Sequence, residues 1–158
     1  MNRVIKLRGR AIETNRWVYG TGYHVTEFTD EYAKEFGRKH EAFIFAEQGW
    51  VEVHLESISQ FTGLHDKSGI EIYEKDITQL DVDGQVRCFV VSKRTVIREV
   101  VSHPNFIDET AKVAITGIVF EWNGFELFPC VDENGKSDVE DMVVVGNIYE
   151  HPHLLKGV

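Results

Sequence analysis

The chain has 158 residues, 42% of them apolar and 27% charged, with a formal net charge of −9. That size and composition predict one soluble globular domain over residues 1–158, with core enough to need no disulfide or metal. They exclude a helical membrane protein, since no apolar run approaches the roughly 20 residues of a spanning helix, and the start, Met-Asn-Arg-Val-Ile-Lys-Leu-Arg, lacks the apolar stretch of a secretory signal.

The acidic balance speaks against non-specific nucleic-acid binding, which needs Lys and Arg to neutralise phosphates. The charge is uneven, however. Arg3, Lys6, Arg8, Arg10 and Arg16 against Glu13 give residues 1–16 a net charge of +4, leaving −13 on the remainder. Such a stripe reads either as the solvated side of an edge strand or as a basic interaction surface. Cys88 and Cys130 lie far apart and form no Cys-x-x-Cys pair, so both are expected as small buried residues in strands.

In chain order, Ile5, Leu7, Gly9 and Ala11 alternate with Lys6, Arg8 and Arg10, the period of a half-buried strand. A bend over Glu13–Asn15 leads into a second strand at Trp17-Val18-Tyr19-Gly20. Phe28, Tyr32 and Phe36 repeat at helical spacing, so residues 27–40 form a helix or a loop insertion, with Thr26 or Thr29 as cap and Gly37 as stop. Phe43-Ile44-Phe45 and Val51–Leu55 flank a hairpin turn at Gln48-Gly49. Asp66-Lys67-Ser68-Gly69 is a turn, followed by short strands at Ile70–Tyr73 and Ile77–Val82. Asp83-Gly84 and Asn123-Gly124 are two-residue hairpin signals. They join Ile77–Val82 to Val86–Val91, and Val113–Trp122 to Phe125–Val131. Thr95–Val101 is a further β-branched strand. The apolar run Met142–Val145 predicts a strand packed on both sides, and residues 148–155 close the chain with a helical turn at Leu154-Leu155. About ten short strands with frequent turns predict a mainly β fold built as a barrel or strongly bent sheets.

Three blocks resemble the YopX family of phage and prophage proteins. The first is Ile5-Lys6-Leu7-Arg8-Gly9 with Trp17-Val18-Tyr19-Gly20. The second is Gln60-Phe61-Thr62-Gly63-Leu64, Asp66-Lys67-Ser68-Gly69, Glu71-Ile72-Tyr73-Glu74 and Asp76-Ile77. The third is Val145-Gly146-Asn147-Ile148-Tyr149-Glu150, Pro152 and Leu154-Leu155. Two positions depart from the family pattern: Ile70 stands where Lys is usual, and Lys75 where Gly is usual. The resemblance implies a small SH3-like β-barrel with additional strands or hairpins and one or two short helices. It also implies a setting in the cytoplasm of a bacterial host. It brings no activity with it.

The motif residues Thr62, Gly63, Asp66, Gly69, Tyr73, Asp76, Gly146, Asn147 and Tyr149 are expected to build turns and strand junctions. Asp66, Glu71, Glu74 and Asp76 suggest a metal-dependent hydrolase, but strand alternation splits Glu71 from Glu74. The histidines at 24, 40, 54, 65, 103, 151 and 153 show no zinc spacing with the two cysteines. No Gly-x-Ser-x-Gly, Walker or dinucleotide motif occurs. The expectation is therefore no catalytic residue, no metal and no cofactor. Two classes remain. The first is a binding or assembly module whose partner is a phage or host protein or a second copy in a homo-oligomer. The other is a nucleic-acid-associated barrel using the basic strand with Trp17 and Tyr19 as stacking groups.

Overall fold

The computed structural model describes residues 4–101, 105 and 110–156. The chain folds as two compact units, Met1–Leu64 with Glu71–Glu74, and His65–Ile70 with Lys75–Val158. Both are built on antiparallel sheets, so the fold is mainly β.

The first unit contains β1 (Leu7–Arg10), β2 (Trp17–Glu27), α1 (Asp30–Phe36), β3 (His40–Ala46), β4 (Gly49–Glu52), β5 (Ser59–His65) and β6 (Glu71–Tyr73). The sheet order is β4-β3-β2-β1-β5-β6. Its core gathers Leu7, Ala42, Ile44 and Val53, with Val18, Val25, Leu55 and Ile58 packed against it. Leu7 is the inward residue of the alternation read in β1. Past the end of β1 the sheet curls. Ala11 bridges Val53, Ile12 N–H donates to Glu52 O at 3.1 Å, and His54 N–H donates to Arg10 O at 2.9 Å. Among the described residues this bent sheet does not close into a ring, so the expected barrel is replaced by an open, curled sheet. The β1 strand lies between β2 and β5, so it is not the edge strand anticipated from its charges.

The helix begins and ends where the sequence placed its caps. Thr29 Oγ1 accepts from Tyr32 N–H, and Gly37 closes the last turn in the left-handed region. The Phe28, Tyr32 and Phe36 spacing brings the three rings together. These rings stack on one another, Tyr32 on Phe36 at 4.3 Å, and none of the helix residues is buried.

The second unit contains β7 (Asp76–Val82), β8 (Gln85–Val101), β9 (Thr110–Trp122), β10 (Phe125–Leu127) and β11 (Val143–Asn147), in the order β10-β9-β8-β7-β11. Phe89, Val91 and Phe120 are buried on one face of this sheet, and Ile77 and Val119 on the other. The Asp83-Gly84 and Asn123-Gly124 turns have positive φ at both residues, the backbone that matches strand twist in two-residue hairpins. Val86–Val91 and Thr95–Val101, read as separate strands, are one continuous strand. The β11 strand lies at the sheet edge with Val143 exposed, so it is not the strand packed on both sides that its apolar run predicts. Cys88 is buried in β8 as expected, whereas Cys130 is exposed and outside any strand.

Candidate interaction surfaces

The basic stripe of β1 faces away from the core that Leu7 enters. Its cations are already engaged. Lys6 Nζ donates to both Glu71 carboxylate oxygens at 2.8 and 2.7 Å and lies over the Tyr19 ring. Arg8, only 9% exposed, donates from Nε to Ser59 Oγ at 3.1 Å. Its guanidinium lies 4.7 Å from the Trp17 ring and 4.5 Å from the Tyr73 ring. Arg10 donates to Asn15 Oδ1 and also approaches Trp17. Tyr73 is buried, with Phe61 and Tyr19 around its ring, and its hydroxyl donates to Glu71 Oε2 at 2.8 Å. Burial first, and then the bond to Glu71 and that residue's charge, push the Tyr73 phenol above its ordinary pKa. The stripe is a cation–aromatic lattice that ties β1 to β2, β5 and β6. Arg16 is exposed beyond it, and Arg3 lies outside the described residues.

The motif residues hold turns and junctions. Thr62 Oγ1 donates to Ile72 O at 2.7 Å and accepts from Leu64 N–H, fastening β5 to β6, with Gly63 between them at φ +89°. Asp66 accepts from Ser68 N–H at 2.8 Å and Ile70 N–H at 2.9 Å through Oδ1. Through Oδ2 it accepts from Val144 N–H at 2.9 Å, a link across the sequence that no turn signal announces. Gly69 supplies the left-handed residue that lets this turn return. Asp76 is buried opposite Asn147 in the β7–β11 register. Asn147 caps the closing turn, accepting from Glu150 N–H and donating to Glu150 Oε2. A Cβ on Gly146 would sit 2.7 Å from His151 Nδ1 and 2.9 Å from its Cγ, so any larger residue there would have to displace that ring. Tyr149 is half-buried in the same turn. Glu71 is committed to Lys6 and Tyr73. Among the described residues no group of three or more His, Cys, Asp or Glu is placed to hold a metal ion.

A different surface emerges on β8 and β9. The β7 strand pairs only with residues up to Val90, and β10 only with Phe120–Trp122. From Ser92↔Val119 to Val101↔Thr110 the two strands pair, among the described residues, only with each other. This two-stranded ribbon would extend roughly 30 Å at the rise of an antiparallel strand. Phe128 and Arg98 pack along one side: Arg98 donates to Glu126 O at 2.9 Å and lies over the Phe128 ring. Elsewhere large apolar groups face solvent, with Ile97 59% and Val101 57% exposed. The sequence marked Thr95–Val101 as a strand, but its exposure depends on where β7 and β10 stop, which alternation does not encode.

The family model described as YopX protein matches residues 6–156. No curated protein matches the chain. Among solved structures, the crystal structure of protein EF1440 from Enterococcus faecalis is similar at 19% identity and a TM-score of 0.42, covering 98% of this chain and 99% of that one. With nearly its whole length matched, the chain belongs to the YopX family.

Proposed function

We propose that this protein is a non-enzymatic β-rich binding or assembly module, acting by protein–protein contact or self-association, with the β8–β9 ribbon as its contact surface. The carrying observation is the ribbon itself. One side of it is packed by Arg98 and Phe128, and Val96 is buried, whereas the β-branched residues Ile97 and Val101 are left exposed along the other side. Covering one such side chain is worth about 1.5–3 kcal/mol, enough to bias association by tenfold or more.

The nucleic-acid alternative through the basic N-terminal strand loses support from the geometry. Lys6 is neutralised by Glu71 and lies over the Tyr19 ring, and Arg8 lies over the Trp17 ring, so both rings that would stack on bases are engaged within the unit. The metal-dependent hydrolase reading loses Asp66 to its turn and Glu71 to Lys6 and Tyr73. The curl that brings Ala11 to Val53 supports reading the first unit as an SH3-like half-barrel. A phage or prophage origin and a bacterial cytoplasmic setting accompany the family resemblance as part of this proposal.

Light scattering at ~50 mM and ~500 mM salt tests the reading, because charge-assisted contacts weaken with screening. The expected result is an oligomer that Ile97→Asp dissociates. A strict monomer at both salts, with no partner recovered by pull-down, would sink it.

A further inference from the structure

We propose that the ribbon's partner is a second copy of this chain, with Lys93 and Lys112 docking against Glu133 and Asp138 of that copy. This rests on the ribbon being a contact surface, and it adds which partner and which charges. The register assigns the faces. Residues opposite each other in an antiparallel pair share a face, so Lys93, Thr95, Ile97, Glu99 and Val101 lie with Ile118, Thr116, Ala114, Lys112 and Thr110. The Thr95–Thr116 hydroxyl bond of 2.8 Å agrees with that assignment.

The two faces use their cations differently. On the other face Arg94 pairs with Glu121 at 2.7 Å, and Arg98 is held by Glu126 O and Phe128. On this face Lys93 and Lys112 are exposed and have no ion-pair partner among the described residues. Glu99 is bonded to Thr110. On this face Lys93 and Lys112 outweigh Glu99, a net charge of +1 in a chain of net −9. Against a second ribbon these lysines would meet only Glu99, which is already bonded to Thr110, so ribbon-to-ribbon pairing leaves them uncompensated. The complementary charge lies in the same unit, where residues 132–141 carry a net −4. Within that segment Lys136 holds Asp141, Asp132 accepts its own turn's amides, and Glu140 caps Ser137. Glu133 and Asp138 are left exposed without an ion-pair partner among the described residues, beside Val131, which is 62% exposed. Lysines flanking Ile97 thus match carboxylates flanking Val131. A two-fold axis that seats each copy's ribbon on the other's acidic segment would make the contact reciprocal and close it as a dimer, whereas a head-to-tail repeat of the same contact would run on into a ring or filament.

Sedimentation equilibrium with a charge exchange tests this. Lys93→Glu/Lys112→Glu and Glu133→Lys/Asp138→Lys should each weaken the dimer by about tenfold or more, whereas the four changes together should restore it to within about threefold of wild type. Thermal midpoints within a few degrees of wild type would show each variant folded. Double variants that dimerise like wild type, or a fourfold variant that stays weak, would overturn the proposal. A dimer indifferent to these charges but lost in Ile97→Asp overturns the charge docking while the ribbon reading stands. A wild-type monomer overturns self-association outright.

Discussion

Asp66 joins three segments through one carboxylate: its own turn at Ser68, the strand entry at Ile70 and β11 at Val144. Burial alone would raise its pKa. The three backbone donors outweigh that and hold it below the ordinary 3.8. A folded pKa below the unfolded one means that its contribution is complete above about pH 4 and is lost as the pH falls through the folded pKa. Asp66→Asn sets an amide against one of those N–H groups and should cost about 2 kcal/mol by urea denaturation at pH 7. The deficit relative to wild type should shrink as the pH drops below 4, and a constant deficit would contradict the assignment. Lys75 is the second informative residue. It keeps the left-handed conformation, φ +70°, although it is not glycine. Its N–H donates to Val91 O at 2.7 Å and its carbonyl accepts from Ile148 N–H at 2.9 Å, which fixes the backbone from both sides. Lys75→Gly should therefore stabilise by about 0.5–1 kcal/mol, the strain relieved less the added chain entropy. A lower denaturation midpoint would contradict this.

At the scale of elements, legibility followed how local each cause was. The caps of α1, the Asp83-Gly84 and Asn123-Gly124 hairpins and the Asp66 turn rest on residues within a few positions of each other, and they were readable. The place of β1 inside its sheet was not, because its charges look the same whether solvated or stacked on Trp17 and Tyr73. The helix shows the same limit. Its aromatic spacing was correct, but the rings cover each other instead of a core. The consequence is measurable. Phe36→Ala should cost only about 0.5 kcal/mol, as for an exposed i,i+4 pair. Ile44→Ala, from a fully buried position in β3, should cost about 2–5 kcal/mol. Similar losses in the two variants would mean that the helix face is packed. The candidate surface was the least legible part. Ile97 and Val101 alternate like any half-buried strand, and only the lengths of β7 and β10 leave them bare.

For the whole molecule, the net charge of −9 conceals two local excesses of positive charge with different fates. The N-terminal one is absorbed: Lys6 and Arg8 stabilise the first unit, and Arg8→Ala should lower its stability without changing association. The ribbon's is only half absorbed, by Glu121, Glu126 and Phe128 on one face. The family membership fixes what kind of chain this is, while the exposed ribbon carries the functional reading. The most direct measurement of that reading is the solution mass of the wild-type protein by light scattering, with Ile97→Asp beside it. An assembling ribbon predicts about twice the 18.1 kDa chain mass for wild type and a single-chain mass for the variant. A wild-type mass of 18.1 kDa at low and high salt, with no partner captured, would contradict it.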